Sequence, residues 1–181
     1  GSNTGGKTVI LKTVGLLALA AQTGLPVPAG QDSLFPVFKN ILADIGDEQS
    51  LNDNLSTFSG HLANMSSILH EVAGEGESLV LLDELGSGTD PAEGGAIACA
   101  VLKELARHKC LTMATTHLGV VKNYVHATNG MVNGAVRFDE ESLQPEYVLE
   151  LGRPGASHAL EIARSLGMPP HVLKSAEGFI N

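Results

Sequence analysis

The sequence predicts an α/β fold: a mostly parallel sheet flanked by helices, then a C-terminal antiparallel pair of strands and terminal helices. Three observations predict it. Short, continuously apolar runs, Ser78–Leu82 and Leu111–Ala114, suit strands buried in a parallel sheet. Helical patterns at Lys7–Gln22, Leu55–Ala73 and Pro91–His108 alternate with them. The opening stretch Gly1-Ser2-Asn3-Thr4-Gly5-Gly6-Lys7-Thr8 fits G-x-x-x-x-G-K-[ST], a glycine-rich loop between strand and helix whose backbone N–H groups cradle phosphates.

Composition bounds the fold. The 181 residues are 43% hydrophobic and 17% charged, enough apolar chain for one packed α/β domain over residues 1–181. Aromatics make up 4% with no Trp, so the core must be Leu, Val, Ile and Ala. The formal net charge of −9 argues against this stretch being a nucleic-acid-gripping surface, which is normally basic. Cys99 and Cys110 are far apart without metal-ligand spacing, and read as small core residues in a reducing compartment, the cytoplasm.

Taken in order, the chain starts on the loop itself, so the strand that should precede it is missing from the sequence. Lys7–Gln22 follows as a helix, apolar on nearly every face and read as buried. Its run Val9–Ala21 is broken by Lys12 and Thr13 and is too short to span a bilayer. Gly24, Pro26 and Pro28 end it. Leu25–Ala29 reads as a short strand, Gly30–Pro36 as turns and Val37–Ile45 as a strand, before the polar stretch Gly46–Asn54. Leu55–Ala73 is a helix with Ser56 as its N-cap and Leu62, Met65, Leu69 and Val72 as its apolar stripe. Ser78–Leu82 is a buried strand ending in Asp83-Glu84, and Gly86–Asp90 is a loop. Asp90 caps a helix that has Pro91 at its first position. Leu111–Ala114 is a second buried strand, and a short helix covers Val120–Val125. Met131–Asp139 and Glu146–Leu151 alternate as two antiparallel strands, with helices at Ala159–Leu166 and Pro169–Phe179.

Three further stretches carry chemistry. An apolar strand that ends in Asp83-Glu84 delivers two acids to the sheet edge beside a phosphate loop. Asp83 and the Thr8 hydroxyl suit Mg²⁺, Lys7 suits the β- and γ-phosphates, and Glu84 suits polarisation of an attacking water. His117 stands at the end of the next strand, placed for a γ-phosphate or a water. Ser56-Thr57-Phe58 opens a helix whose free N–H groups favour anions. The remaining histidines, His61 among them, show no ligand spacing and read as surface or helix residues.

Asn3-Thr4-Gly5-Gly6-Lys7-Thr8, Ser56-Thr57-Phe58, Asp83-Glu84-Leu85-Gly86-Ser87-Gly88-Thr89-Asp90 and Ala114-Thr115-Thr116-His117 together resemble the ATPase domain of the MutS family. Four ordered motifs spread over nearly the whole chain carry that resemblance. Thr4, the run Asp44-Ile45-Gly46-Asp47-Glu48-Gln49-Ser50 and Gly88-Thr89-Asp90-Pro91 resemble the second MutS branch more than the mismatch-recognising one. The resemblance implies a P-loop NTPase fold of the ABC-ATPase type and hydrolysis of ATP with Mg²⁺. Nucleotide contacts would come from Gly1, Ser2, Asn3, Thr4, Gly5, Gly6, Lys7 and Thr8, the metal would be held by Thr8 and Asp83, and catalysis would involve Glu84 and His117. Tyr147 falls where an adenine contact is implied.

The resemblance also implies a homodimer with two ATP sites across its interface. Ser56 and Thr57 would reach the partner's nucleotide, and Gly86, Ser87, Gly88, Thr89 and Asp90 would cross between copies. Second-branch proteins are associated with branched DNA, suppression of recombination and stalled ribosomes. Contacts with DNA or ribosome are then expected in parts of the parent outside this segment, as is the nuclease activity of its Smr domain; no membrane partner is expected. Two alternatives stay open. One is an ABC- or SMC-like ATPase of other function, of whose L-S-G-G-Q signature only Leu55-Ser56 resembles the opening. The other is a catalytically inert interaction fragment.

Overall fold

The structure is a computed structural model that describes residues 6–46, 54–74, 76–139, 142, 144–152 and 159–180, with the backbone alone at 54–57 and 180. It divides into two compact units, one of Thr8–Met131 and one of Val132–Asn181 with the residues up to Lys7.

The first unit runs α1 (Lys7–Gln22), β1 (Asn40–Asp44), α2 (Asn54–Val72), β2 (Ser78–Leu82), α3 (Pro91–Leu105), β3 (Cys110–Ala114) and α4 (Gly119–His126). Its three strands form a parallel sheet in the order β1-β2-β3. Every residue of β2 is buried, as its unbroken apolar run predicts for a central parallel strand. Strand alternation then sorts its side chains. Val80 and Leu82 meet Met65, Ile68 and Val72 of α2 and Ala98, Val101 and Leu105 of α3. Leu79 and Leu81 meet Leu11 and Ala18 of α1 together with Phe38. Burial of each such Leu contributes about 1.5–3 kcal/mol, which makes β2 the anchor of this unit. Gly15 lets α1 close onto the sheet, because a Cβ there would lie 2.7 Å from Leu81 Cδ1.

Several sequence expectations need correction. Leu25–Ala29 is not a strand. Pro26 and Pro28 have no N–H to donate, and the N–H groups of Leu25 and Ala29 bond locally to Ala20 and Val27 carbonyls. Gln22 instead ties the end of α1 to the approach to β1, its side chain accepting from Phe38 N at 2.7 Å and donating to Phe38 O at 3.2 Å. Only one side of α1 is buried, since a three-stranded sheet covers a stripe and leaves Leu16 66% exposed. β3 is not enclosed either: it is the last strand in the order β1-β2-β3, and Leu111 is 57% exposed. α2 begins at Asn54, so Ser56 lies within its first turn rather than at its cap. α3 ends three residues early, as the N–H groups of Arg107 and His108 bond back to Glu104 and Leu105 and tighten the chain into a turn.

Cys99 and Cys110 are free and half-buried against the α2–α3 side of the core. Burial pushes the Cys99 thiol above its ordinary value. Among the described residues no helix is long and apolar enough to cross a membrane.

The second unit holds the expected antiparallel pair, β4 (Gly134–Asp139) and β5 (Gln144–Leu151), followed by α5 (Ala159–Ser165) and α6 (Pro170–Ile180). Register slips between Val136 and Phe138, and Tyr147, opposite the slip, takes φ +56°. Arg137 pairs with Glu146 at 3.3 Å and Glu150 at 2.8 Å, and Arg164 links α5 to Glu177 of α6 at 3.3 Å.

Candidate functional site

Because β1, β2 and β3 are parallel and in register, their C-terminal ends share one edge, where ligands bind in open α/β sheets. Asp44 ends β1, Asp83-Glu84 follow β2 and Thr115-Thr116-His117 follow β3. The Asp83 N–H donates to the Asp44 carbonyl at 2.8 Å, and the Leu85 N–H to the Thr115 carbonyl at 2.8 Å, so the strand extensions remain tied beyond the sheet.

Thr115 is the hub. Its buried hydroxyl donates to Asp83 Oδ1 and accepts from the Glu84 N–H at 2.9 Å. From the other side Thr8, in the first turn of α1, donates its hydroxyl to Asp83 Oδ2 at 2.6 Å. A hydroxyl and a carboxylate from motifs 75 residues apart thus converge on one half-buried point. Both are hard oxygen donors. Such a pair suits Mg²⁺, which takes one or two protein oxygens and keeps several waters, whereas the Asp44 carboxylate at the same edge is bonded to α2.

Glu84 adopts φ +48°, a left-handed conformation that a non-glycine residue holds only where its surroundings impose it, at a cost of about 1–3 kcal/mol. Those surroundings are the Thr115 hydroxyl on its N–H and the Ser87 hydroxyl, which donates to its carbonyl. Its side chain lines a small cavity with Asp44, Phe58, His61, Met65 and Ser87.

The loop after Glu84 is seated by glycines. Gly86 has φ +84°, and a Cβ on it would lie 2.6 Å from the Gly94 carbonyl oxygen. A Cβ on Gly94, inside α3, would run into the Gly86 carbonyl oxygen. Gly94→Ala therefore reverses the usual preference for Ala in a helix. We expect it to destabilise the fold by about 1–3 kcal/mol, read as a lower urea midpoint at unchanged slope. The loop ends at Asp90, whose carboxylate caps α3 through the N–H groups of Ala92 at 2.9 Å and Glu93 at 3.2 Å.

The structure brings some of the predicted residues together. Thr8, Asp83 and Glu84 meet at the sheet edge, and Phe58 of α2 packs against Gly88, with 3.4 Å between its Cβ and a Cβ built on the glycine. In the second unit the Tyr147 ring lies on Gly6, where a Cβ would come within 2.8 Å of Tyr147 Cε1. Lys7 is the first residue of α1. His117 is exposed on the loop after β3 and makes no hydrogen bond to Asp83 or Glu84. Gly1–Gly5, and the side chains of Ser56 and Thr57, lie outside the described residues.

Three site residues escape the sequence. Thr115 is one of two adjacent threonines, and nothing in the pattern says which is buried against Asp83. We expect Thr115→Val, close in shape but lacking the hydroxyl, to cost about 1–3 kcal/mol by leaving the Glu84 N–H unsatisfied, read by thermal unfolding. Asp44 and His61 are the other two. The Asp44 carboxylate is buried and accepts from His61 Nδ1 at 2.8 Å and Asn64 Nδ2 at 3.1 Å, both on α2. A signal was present, because His61 and Asn64 lie three apart on one helical face opposite an acid that ends an apolar strand.

Comparison with known proteins places this arrangement. The whole chain, residues 1–181, matches the family MutS domain V. It is 52% identical over 181 residues to the Endonuclease MutS2 of Lachnospira eligens, 51% over 181 residues to that of Clostridioides difficile, and 49% over 180 residues to that of Symbiobacterium thermophilum. The alignments cover 100%, 100% and 99% of this chain but only 23%, 23% and 22% of those relatives, so the chain spans less than a quarter of their length. With the family matched from first residue to last, the chain belongs to the MutS family as its domain V.

Proposed function

We propose that this chain is an ATP-hydrolysing module that works as a pair, with each nucleotide held between two copies. The observation that carries the proposal is the Thr8–Asp83 hydrogen bond, which joins the end of the phosphate-loop motif to the acid that follows β2. In this reading the backbone N–H groups of Gly1–Gly6 and the Lys7 ammonium bind the phosphates, and Tyr147 contributes to the nucleotide contact. Thr8 and Asp83 hold Mg²⁺, which when bound neutralises phosphate charge. Glu84 accepts a hydrogen bond from the water that attacks the γ-phosphoryl group, releasing ADP and phosphate, and His117 assists at the γ-phosphate. Ser56, Thr57 and the loop Gly86–Asp90 serve the partner's site. The first-turn N–H groups of α2 support this role, since they lack intrahelical acceptors.

ATP then favours the dimer because it is contacted from both sides, and hydrolysis removes the contacts that differ between the two states. In the cytoplasmic parent protein, by this proposal, the switch drives action on branched or mismatched DNA in suppressing recombination, or on stalled ribosomes. Nuclease chemistry has no part in it. The test is the ATPase rate per chain against chain concentration with Mg²⁺ present. A rate that climbs steeply with concentration supports the shared site. A concentration-independent rate contradicts sharing, and no turnover at any concentration contradicts the enzymatic reading itself.

A further inference from the structure

Asp44 is bonded in two directions at once. Its backbone carbonyl accepts from the N–H of Asp83, and its carboxylate accepts from His61 Nδ1 and Asn64 Nδ2 of α2. An ionised carboxylate only accepts, so His61 Nδ1 carries the proton in this pair. The carboxylate is 8% and the imidazole 24% exposed, so both are largely withdrawn from water, where a hydrogen bond to a charged group is stronger than at the surface. Met65, Ile68 and Val72 fix the C-terminal half of α2 by packing on the sheet. The N-terminal half has no fully buried apolar residue among those described; it is held by the half-buried Leu62 against the core, by Phe58 packed on Gly88, and by the polar pair to Asp44.

From this arrangement we propose that Asp44 is a positioning residue that clamps the N-terminal half of α2 to the strand end carrying Asp83, through His61 and Asn64. The clamp fixes the first turn of α2 relative to the acid pair. A copy whose Asp83 edge is engaged by nucleotide thereby presents α2 in one register to a second copy. That consequence rests on the shared-site reading above, whereas the clamp itself rests on the hydrogen bonds alone.

Hydrogen exchange of the chain, with and without Mg·ATP, tests both levels separately. Without nucleotide, Asp44→Ala and His61→Ala should each raise amide exchange over residues 58–64 about tenfold, the loss expected for a hydrogen bond to a charged group. Exchange over residues 65–72 and in β2 should stay unchanged. His61→Asn should restore the wild-type pattern, because the Asn Nδ2 occupies nearly the place of the His Nδ1. Equal exchange along α2 in all variants, or no rescue by His61→Asn, overturns the clamp. With Mg·ATP, the wild type should gain protection at both 83–90 and 58–64, and His61→Ala only at 83–90. His61→Ala should likewise lose about tenfold in kcat with KM changed less than about twofold, because substrate binding survives and alignment does not. Loss of both protections in His61→Ala overturns the positioning role. Absence of any nucleotide-dependent protection in the wild type overturns the ATP reading and leaves the nucleotide-free result to decide the clamp.

Discussion

Lys7→Ala is expected to lower ATP affinity roughly a hundredfold, about 3 kcal/mol, in a chain that still folds. A cation at the first position of a helix faces the positive end of the helix dipole. A phosphate bound at this end of α1 would be attracted by the lysine and by the helix dipole together. Ala is a good helix former, so α1 should persist in the variant. Lost affinity in a chain that still unfolds cooperatively separates a ligand role from loss of the fold. Titration with ATP and thermal unfolding of the same preparation check the pair; normal affinity in Lys7→Ala would remove the phosphate-loop assignment.

Glu84→Gln should keep ATP binding and lose turnover by about 10²–10⁴-fold, the usual range for a lost general base. Gln has the shape of Glu, and the backbone at this position is held by Thr115 and Ser87, not by its own carboxylate. The fold and the Thr8–Asp83 pair should therefore be untouched. With binding intact and hydrolysis stopped, ATP-bound dimers should persist, and sedimentation with Mg·ATP should show more dimer than for the wild type. Turnover near the wild-type rate in Glu84→Gln would remove Glu84 from the chemistry. The left-handed backbone of Glu84 fits this assignment, since strain at a residue that is not glycine tends to accumulate where function needs a side chain re-aimed.

What the sequence reveals follows how local each signal is. Ser78–Leu82 is legible because an unbroken apolar run bounded by glycine and acids is a property of the run itself, and the observed β2 has the same bounds. Asp90-Pro91 is legible for the same reason, as cap and first helical residue act over three positions. The start of α2 is less so. Ser56 has the chemistry of an N-cap, but helical backbone begins at Asn54, and several polar residues there compete for the role. Leu111 looks like a core residue by composition; its exposure depends on strand order, which no local pattern contains. The chemistry of Asp83 and Glu84 is visible in their motif, whereas Thr115, Asp44 and His61 act through bonds across 32, 17 and more positions that only folding creates.

Complementation between two inactive chains tests the shared site most directly. One chain carries Lys7→Ala and keeps Ser56 and Thr57; the other carries Ser56→Ala with Thr57→Ala and keeps Lys7. Each alone should be nearly inactive. Mixed in equal amounts they should recover roughly a quarter of the wild-type rate, because half of the dimers are mixed and each mixed dimer holds one intact site of two. Mixtures as inactive as the separate chains, or full activity in the Ser56→Ala, Thr57→Ala chain alone, would contradict a nucleotide held between two copies.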